Sequence, residues 1–578
     1  METLTKELKS LIETFEGKEV SGSEAVIMSL LCEQVDTIFG YPGGAIMPIY
    51  DALYDYRDRI NHYLVRHEQG AIHAAQGYAR VLGKSGVCFA TSGPGATNLI
   101  TGIADAQIDS TPVVCITGQV ASHLLGTDAF QETDIISISM PITKWHYQIT
   151  DAREIPEVIA KAFYIANSGR PGPVLVDITK DAQNQKIKFS YKRCERIRSY
   201  QPFPKPQEED LIKAAELINN AKKPLLLFGH GVLISKAQEE LKNLIEKAEI
   251  PSAWTIMGLS ALDTAHPLNV GMLGMHGNYG PNLKTNECDV LIAVGMRFDD
   301  RVTGDLNRYA KQAKVIHIEI DKAEIDKNVK TEVAINADAK VALSALLPLI
   351  KDNKHTEWLE EFRTCTKIEY EKVIAAEVYP KEGKLKMAEV VNKISEITKG
   401  EAIIVTDVGQ HQMVAMRYYN YHKIRTNVTS GGFGTMGFSV PASMGCKIAC
   451  PKDIVVCVVG DGSFQMTLQE LGTIAQYKIP VKIVILNNNF LGMVRQWQEL
   501  FFEKRYSFTE MVNPDFVAIA KGFGLEAEKV ENRSDLEGAL NRSFSSEKPY
   551  LLNIMVEKED NVFPMVPSGD SVSNIRLS

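Results

Sequence analysis

The stretch of residues 454–497, IVVCVVGDGSFQMTLQELGTIAQYKIPVKIVILNNNFLGMVRQW, contains two short apolar segments separated by a helical pattern. Residues 454–459 and 481–486 are rich in β-branched side chains, which predicts two buried strands of a parallel sheet. The apolar residues between them recur at helical spacing: Leu468, Leu471, Ile474 and Ala475. Ile479-Pro480 would end that helix. We therefore predict one strand–helix–strand unit.

Polar side chains follow both predicted strands. Asp461, within GDGS, comes after the first strand, and Asn488, within NNN, comes after the second. Because open α/β sheets bind ligands at the carboxyl ends of their parallel strands, we expect both side chains to lie at one ligand-binding edge. A carboxylate and an amide oxygen suit Mg²⁺, and a helix beginning near Thr467 would direct N–H groups at an anion. The pattern predicts a diphosphate held through Mg²⁺.

A purely structural alternative is a tight turn at GDGS followed by turn-forming asparagines. A lone GDG sequence favours that alternative. The complete unit, in which GDG and NN follow successive strands and Asp461 and Asn488 are 27 residues apart (488 − 461), resembles the thiamine-diphosphate motif.

The composition and charge of the chain argue against several classes of protein. The 578-residue chain carries a net charge of −9, which argues against a general affinity for nucleic acid. No apolar run has the length of a membrane span, and the N-terminal residues resemble neither a signal peptide nor a transit peptide. The nine cysteines are scattered, with no CxxC pair, as is typical of a reducing compartment. We therefore expect a cytoplasmic protein that binds neither nucleic acid nor a membrane.

Short apolar strands alternate with helical patterns in three parts of the chain, residues 19–185, 208–350 and 386–560. This alternation predicts an α/β fold of three doubly wound parallel-sheet domains. Residues 186–207 are charged and then proline-rich, which predicts a linker. Residues 351–385 predict a charged, helical connector.

Glu68 follows a predicted buried strand of the first domain and precedes the small, apolar start of a helix. A carboxylate in this position is expected to be largely desolvated. Buried carboxylates have raised pKa values or need hydrogen-bond partners, and such acids cluster at reactive sites. A glutamate at a helix start also complements the helix dipole. Position alone does not decide between these two roles.

The middle domain has Rossmann-like strand-to-loop transitions at residues 229–231 and 295–301, but no GxGxxG sequence. Spacing alone is therefore weak support for dinucleotide binding, and the Arg/Asp loop 297–301 is equally compatible with a surface ion-pair network. The third domain carries DVGQH at 407–411 and the glycine-rich SGGFGTMG at 430–437.

Taken together, these features resemble the catalytic subunits of the acetohydroxyacid synthase (acetolactate synthase) family over nearly the whole chain. The matching sequences are GYPGGAIMPIYDALYD at 40–55, RHEQGA at 66–71, TSGPGATNLITG at 91–102, GTDAFQET at 126–133, SGRPGPVLVDITKD at 168–181, RFDDRVTG at 297–304 and GMVRQWQ at 492–498. GTDAFQET and RFDDRVTG go beyond the generic thiamine-diphosphate pattern.

The resemblance implies thiamine diphosphate, Mg²⁺ and FAD as cofactors. Asp461, Asn488 and the backbone carbonyl of Phe490 would hold Mg²⁺. Glu68 would hydrogen-bond N1′ of the aminopyrimidine as a catalytic residue, and Met436 would support the bent cofactor. The other residues implied to bind thiamine diphosphate are Val408, Gly409, Gln410, His411, Gly434, Gly462, Ser463, Leu491, Gly492 and Met493.

FAD is implied although the net reaction needs no electron transfer. The matching positions are Arg170, Gly229, Gly231, Thr255, Ile256, Met257, Leu273, Gly274, Met275, His276, Gly295, Arg297, Asp299 and Arg301, with Glu319, Ile320 and Asp338 on the adenosine side. RFDDRVTG separates the chain from the flavin-free catabolic acetolactate synthases. The sequence GHG at 229–231 departs from the pattern, because many relatives carry more glycine there.

The implied reaction decarboxylates pyruvate and condenses the hydroxyethyl carbanion with pyruvate or 2-ketobutyrate, the first common step of valine, leucine and isoleucine biosynthesis. Gln131 and Lys180 match catalytic positions. The substrate-binding positions are Gly43, Ala45, Phe130, Gln131, Met493 and Trp497. Trp497 is associated in the family with preference for the larger acceptor, although a tryptophan considered alone would more simply be a packing residue.

The resemblance also implies partners. The family places its cofactor between the first domain of one chain and the third domain of another, so a homodimer or tetramer is expected, together with a small regulatory subunit. The nearest alternative is a pyruvate oxidase that uses thiamine diphosphate and FAD. An inactive, cofactor-binding subunit is disfavoured because Glu68, Asp461 and Asn488 are all present.

Overall fold

The computed structural model describes residues 6–578, and within these residues it contains three six-stranded sheets in which every strand pair is parallel. This result confirms the predicted α/β class. The chain forms two compact units. The first comprises the residues up to Gln201 with Gly432–Lys452 and Met466–Val481, and the second comprises Pro202–Gly431, Asp453–Gln465 and Lys482–Ser578.

The first unit contains eight strands: β1 Glu19–Ser21, β2 Thr37–Gly40, β3 Asn61–Leu64, β4 Gly86–Ala90, β5 Val113–Gln119, β6 Trp145–Ile149, β7 Pro173–Thr179 and β8 Lys186–Lys188. Six of them form a sheet in the order β3-β2-β4-β5-β7-β6. Strands β4, β5 and β7 are buried along their whole length, as expected when helices cover both faces. The predicted linker begins with β8, which pairs antiparallel with β1.

Nine helices lie between residues 6 and 201: α1 Lys6–Phe15, α2 Gly22–Cys32, α3 Met47–Tyr54, α4 Glu68–Leu82, α5 Pro94–Thr97, α6 Ile100–Ile108, α7 Ile135–Ser139, α8 Ile155–Asn167 and α9 Lys180–Asn184. Helix α4 begins at Glu68 rather than after it, because the His67 side chain accepts a hydrogen bond from the Gln69 N–H and caps the helix there.

The middle sheet has the Rossmann strand order β11-β10-β9-β12-β13-β14, with strands β9 Pro224–Phe228, β10 Ser252–Trp254, β11 Asn269–Met272, β12 Val290–Val294, β13 Lys314–Glu319 and β14 Val333–Asn336. Its helices are α10 Glu208–Asn220, α11 His230–Ile234, α12 Gln238–Ala248, α13 Tyr279–Thr285, α14 Asp300–Thr303 and α15 Ala339–Leu346. The predicted helical connector consists of α16 Thr356–Glu369, a π-helical turn and α17 Ala375–Val378.

The third sheet repeats the topology of the first. Its order is β16-β15-β17-β18-β20-β19, with β15 Ile403–Thr406, β16 Asn427–Thr429, β17 Val455–Gly460, β18 Lys482–Asn487, β19 Glu526–Val530 and β20 Tyr550–Met555. The helices of this part of the chain are α18 Met387–Thr398, α19 Gln410–Tyr418, α20 Ser439–Ala449, α21 Asp461–Thr467, α22 Leu471–Gln476, α23 Gly492–Phe501, α24 Phe516–Gly522 and α25 Arg533–Ser545. The strand order reverses between β2 and β4 in the first sheet and between β15 and β17 in the third. Such a reversal marks the edge at which doubly wound sheets bind ligands.

The strand–helix–strand unit of residues 454–497 forms as predicted, with one correction. Its helix begins at Asp461 rather than near Thr467. Thr467 instead ends that helix, because its φ of −136° leaves the helical region. A 3₁₀ turn at Leu468–Glu470 then leads into α22. Asp461 is therefore itself an acidic residue of the first helical turn.

Among residues 6–578, no helix combines the length and the apolar character that crossing a membrane would require.

Candidate cofactor and active site

Asp461 and Asn488 lie at the same edge of the third sheet, because β17 and β18 are adjacent parallel strands and each residue directly follows one of them. Both side chains are buried. Burial raises the pKa of Asp461, although hydrogen bonds, the first of them from Asn513, oppose that shift. A bound divalent cation would offset the cost of burying this carboxylate.

Asn513 organises the loops around Asp461. Its amide nitrogen donates to Asp461 Oδ2 at 2.6 Å, to Asn487 Oδ1 at 3.1 Å and to Asn489 Oδ1 at 3.0 Å. One side chain thereby connects the ends of β17 and β18. Local sequence gives no sign of this role, since the contacts of Asn513 join segments 52 residues apart.

The turn that contains the Phe490 carbonyl is held from two sides. Asn488 Oδ1 accepts the Phe490 N–H at 3.1 Å. The neighbouring backbone pairs with residues 509–511, where Leu491 N donates to Thr509 O at 2.8 Å and Met511 N donates to Asn489 O at 2.9 Å. Carboxylate, amide and peptide oxygens are the donors that Mg²⁺ accepts, so this group fits the predicted metal site.

Three helices of the second unit begin near this sheet edge: α19, α21 and α23. Neither α19 nor α23 has a side chain hydrogen-bonded at its N-cap position, so their first N–H groups are suited to an anion. Gln410, the first residue of α19, donates to Gln496 Oε1 at 3.0 Å. A Cβ atom at Gly492, the first residue of α23, would lie 2.2 Å from Gln410 Oε1. The two helix starts therefore meet at a position that only glycine fits.

His411 fills the space between the loops that follow β15 and β17. Its Nε2 lies 2.8 Å from Asp407 Oδ1. A Cβ atom at Gly409 or at Gly460 would lie 2.7 Å or 2.9 Å from the imidazole, and Gly409 also has a φ of +154°. Val408, Gly462, Ser463 and Leu491, also predicted to bind the cofactor, lie in these same loops and helix starts.

The glycine-rich loop that carries Gly434 and Met436 is anchored within the first unit by buried charges. Asp109 Oδ1 accepts the Gly432 N–H at 2.7 Å, and Asp105 Oδ1 accepts the Thr435 hydroxyl at 2.8 Å. Arg80 pairs with Asp109 at 2.9 Å and with Asp105 at 3.8 Å. Because all three charged side chains are buried, this network holds the loop in one place.

Glu68 is buried, with 8% of its surface exposed, as the sequence predicted. The Asn98 amide donates to Glu68 Oε2 at 2.8 Å. A Cβ atom at Gly95 would lie 3.2 Å from Glu68 Oε1. The TSGPGATN segment that follows β4 thus supplies both the hydrogen-bond partner and the space for this carboxylate. Asn98 lies within a matching motif, but its sequence position gave no indication of this contact.

The predicted substrate residues of the first unit follow strands of the first sheet at its carboxyl edge. A Cβ atom at Gly43 would lie 2.5 Å from the Thr91 side chain, and Ala45 N donates to Thr91 Oγ1 at 3.2 Å. Gln131 has a φ of +61°, and Phe130 is 87% exposed. Lys180 is the exposed first residue of α9.

Met493 and Trp497 lie in the second unit, one turn apart on α23. Both are partly buried, and the Trp497 ring lies 5.0 Å from that of Phe501. Trp497 is therefore partly a packing residue, as the alternative interpretation expected. It also lies on the helix that begins at the candidate site, five residues after Gly492.

In the middle sheet, the loops after β9 and β12 touch. Gly231 N donates to Gly295 O at 2.9 Å, and a Cβ atom at either glycine would lie within 2.7 Å of the other loop. This contact is at the point where the strand order reverses, which is the usual dinucleotide position. Gly229 adjoins the same loop, since its N–H donates to Val294 O at 3.0 Å.

The RFDDRVTG loop combines a cap with ion pairs. Asp299 accepts the Arg301 and Val302 N–H groups, both at 3.1 Å, and caps α14. Arg297 lies 4.0 Å from Asp299. Met275 N donates to Arg301 O at 2.8 Å, so the loop is joined to the segment of Leu273, Gly274, Met275 and His276. Burial and the nearby Arg417 and Arg301 cations lower the pKa of His276 to about 3.

The remaining predicted flavin positions are dispersed. Asp338 caps α15 by accepting the Lys340 and Val341 N–H groups, and Glu319 accepts the Asp321 N–H at 3.0 Å. The others of the second unit lie in loops after β10 and β13: Thr255, Ile256, Met257 and Ile320. Arg170 belongs to the first unit, where its Nε donates to Ser110 Oγ at 2.9 Å.

Comparison with protein-family models finds three matches in chain order. Residues 20–138 match the N-terminal thiamine-pyrophosphate-binding domain of thiamine pyrophosphate enzymes. Residues 211–346 match the central domain of these enzymes, and residues 407–554 match their C-terminal thiamine-pyrophosphate-binding domain.

Comparison with curated proteins finds relatives of nearly full length. The chain is 44% identical to an acetolactate synthase large subunit of Cyanidium caldarium, over 96% of each chain. It is 45% identical to the acetolactate synthase isozyme 2 large subunit of Escherichia coli K12, over 96% of this chain and 99% of that one. It is also 45% identical to a probable acetolactate synthase large subunit of Methanocaldococcus jannaschii, over 96% and 95% of the two chains.

Proposed function

Because the chain belongs to the acetolactate synthase large-subunit family of thiamine pyrophosphate enzymes, we propose that it decarboxylates pyruvate and joins the remaining two-carbon unit to a second 2-keto acid. It is a thiamine-diphosphate-dependent carboligase, an acetolactate synthase. The observation that carries this assignment is identity of about 45% over 96% of the chain, with all three domain models matched in order. The acceptor is pyruvate or 2-ketobutyrate, so the reaction is the first common step of branched-chain amino-acid synthesis.

Thiamine diphosphate, when bound, supplies the carbon nucleophile and the electron sink for decarboxylation and carbon–carbon bond formation. Asp461, Asn488 and the Phe490 carbonyl hold Mg²⁺, and the starts of α19, α21 and α23 bind the diphosphate. The supporting observations are the buried carboxylate of Asp461 and the uncapped starts of α19 and α23.

Glu68 hydrogen-bonds the pyrimidine ring nitrogen and shares a proton with it. Its burial and the Asn98 hydrogen bond support this role, because a desolvated, oriented carboxylate is suited to proton transfer at a fixed atom. Met436 supports the pyrimidine and thiazolium rings from its anchored loop.

Substrate residues come from the carboxyl edge of the first sheet and from helix α23. Gly43, Ala45, Phe130, Gln131 and Lys180 contribute from the first sheet, with Gln131 and Lys180 nearest the reacting atoms. Met493 and Trp497 contribute from α23, and Trp497 favours the larger acceptor, 2-ketobutyrate.

FAD is the third proposed cofactor. The contact between the Gly231 and Gly295 loops supports it, because this contact lies at the strand-order reversal, where doubly wound sheets bind dinucleotides. RFDDRVTG continues the loop that begins at Gly295, and the Leu273–His276 segment is joined to it by the hydrogen bond from Met275 N to Arg301 O. A pyruvate oxidase would also use both cofactors, but the relatives do not favour that reaction.

The assembly is a homodimer or tetramer, in which Glu68 of one chain and Asp461 of another serve one active site. Relatives named as large subunits support a small regulatory subunit as partner. The protein acts in the cytoplasm.

The metal site is tested by cofactor binding to the full-length apoprotein. For Asp461→Ala we expect thiamine-diphosphate affinity to fall at least about tenfold and its Mg²⁺ dependence to disappear, because the only charged metal ligand is removed. Titration calorimetry with and without Mg²⁺ measures both quantities. Asp535→Ala, which removes an exposed carboxylate from α25, is the matched control. Unchanged affinity and unchanged Mg²⁺ dependence in Asp461→Ala would exclude this site.

A further inference from the structure

Glu470 is a completely buried carboxylate that no motif assigns to the site. It ends the 3₁₀ turn Leu468–Glu470, within the part of the chain that belongs to the first unit. Its side chain faces residues 66–70, the segment in which helix α4 and Glu68 begin.

Both carboxylate oxygens of Glu470 bind the backbone just ahead of Glu68. The Arg66 N–H donates to Oε1 at 3.0 Å and to Oε2 at 3.2 Å. The Thr473 hydroxyl donates to Oε2 at 2.7 Å and fixes the rotamer. Burial raises the pKa of Glu470, while hydrogen bonds from Thr473 and from the backbone of Arg66 and His67 oppose that shift. The carboxylate is therefore held by donors and not left as an isolated buried charge.

Gly70 shows how closely the carboxylate approaches helix α4. A Cβ atom at this position would lie 2.5 Å from Glu470 Oε1 and 2.8 Å from its Cδ. Any other residue at position 70 would therefore displace the carboxylate or the first turn of the helix. The glycine makes the contact between Glu470 and this turn possible.

The residues after Glu470 fix the strand that leads to Glu68. The Arg66 guanidinium donates to Gly472 O at 3.2 Å and to Gln476 Oε1 at 2.7 Å. The Leu64 N–H donates to the Tyr477 hydroxyl at 2.9 Å. Residues 470–477 therefore hold the end of β3 and the residues up to Arg66 by hydrogen bonds.

We propose that Glu470 is a positioning residue for the catalytic carboxylate. It fixes the backbone at Arg66 and His67 and thereby the direction in which the Glu68 side chain extends from the start of the helix. The hydrogen bond from Asn98 then fixes the carboxylate itself. This inference rests on the role of Glu68 in the proposed function. A misplacement of about 1 Å at a proton-transferring group is sufficient to cost orders of magnitude in rate.

The test compares Glu470→Ala, Glu470→Gln and Gly70→Ala in the full-length enzyme reconstituted with thiamine diphosphate and Mg²⁺. We expect kcat to fall about 10- to 100-fold in Glu470→Ala and in Gly70→Ala, with KM for pyruvate within about twofold of wild type. Glu470→Gln keeps one acceptor oxygen and should recover much of the loss. Gln476→Ala, which removes a contact of the Arg66 side chain but none of its backbone, is the matched control and should retain kcat within about twofold.

Amide hydrogen exchange of the apoprotein gives a readout that does not depend on activity. Exchange of the amides at residues 66–70 should accelerate at least about tenfold in Glu470→Ala and much less in Glu470→Gln. If Glu470→Ala does not fold, Gly70→Ala and Glu470→Gln carry the test. Wild-type kcat in Gly70→Ala, or in Glu470→Ala when it folds, would overturn the proposal, and so would a rate loss that appears only as a raised KM. If Glu68→Gln kept normal turnover while amide exchange at residues 66–70 still accelerated in Glu470→Ala, the catalytic role of Glu68 would be refuted. The role of Glu470 in fixing the backbone at residues 66–70 would then still hold.

Discussion

At the scale of single residues, Glu68 is fixed by partners from distant parts of the chain. Its carboxylate accepts the Asn98 amide at 2.8 Å, and the backbone ahead of it binds Glu470. These contacts span 30 and 404 residues respectively. Local sequence therefore predicts that a carboxylate is buried here, whereas the groups that orient it become known only from the fold.

For Glu68→Gln we expect kcat to fall by about 10²-fold or more, because an amide cannot share a proton with the pyrimidine ring nitrogen. The fold and the affinity for thiamine diphosphate should be retained, since the amide still fits beside Gly95 and Asn98. Steady-state kinetics and calorimetry measure the two quantities separately. Near-normal turnover in this variant would refute the role assigned to Glu68.

At the scale of elements, helix α4 crosses α20 with almost no space between the backbones. A Cβ atom at Gly77 would lie 2.1 Å from Ala442 O, and one at Gly445 would lie 1.9 Å from Ala74 O. Both helices belong to the first unit. Since Glu68 is the first residue of α4, this crossing helps to set where the carboxylate lies.

For Gly445→Ala we expect the free energy of unfolding to fall by about 1–3 kcal/mol and turnover to fall with it, because the methyl group forces the helices apart. Thermal unfolding and kcat of the same preparation check this outcome. Gly522→Ala is the control, because no atom lies within 4 Å of a Cβ at that position. An equal effect of the two substitutions would show that the crossing is not tightly packed.

The elements also show which parts of the fold the sequence specifies. The strand ends at Asp461 and Asn488 follow from short β-branched runs, so the two residues were correctly expected at one sheet edge. The start of α21 was misplaced, because GDGS reads locally as a turn while the structure continues it as a helix. Asn513 was overlooked because its three contacts are all made by tertiary structure.

At the scale of the whole molecule, buried ionisable groups link segments that are far apart in the second unit. Arg417 of α19 pairs with Glu369 of the helical connector, and both side chains are almost completely buried. Arg417 also donates to the carbonyl of Gly277 at 3.0 Å, and Glu369 accepts the Asn278 amide at 2.9 Å. Helix α19, which begins at Gln410, is therefore joined near its C-terminal end to the carbonyls of His276 and Gly277 through Arg417.

His276 lies in this network, and burial, together with the Arg417 and Arg301 cations, lowers its pKa to about 3. In the unfolded chain a histidine binds a proton near pH 6.5. The unfolded state therefore binds more protons between these values, and stability should fall by about 1.4 kcal/mol per pH unit as the pH drops below 6.5.

Replacing this histidine removes its contribution to the pH dependence of the free energy of unfolding. For His276→Gln we expect the unfolding temperature to depend less steeply on pH between 4.5 and 6.5, with little change in slope above pH 7. Calorimetric scans of apoprotein across this range measure the slope. The same slope in wild type and variant would show that His276 is not held neutral by the fold.

The central claim, that this chain is a carboligase and not an oxidase, is tested most directly by its product. The measurement is anaerobic incubation of the enzyme with pyruvate, thiamine diphosphate, Mg²⁺ and FAD, with products identified by mass. We predict that 2-acetolactate forms without oxygen, that it disappears when thiamine diphosphate is omitted, and that added 2-ketobutyrate diverts the product to 2-aceto-2-hydroxybutyrate. Formation of acetaldehyde alone, or of acetate only when oxygen is admitted, would contradict the assignment.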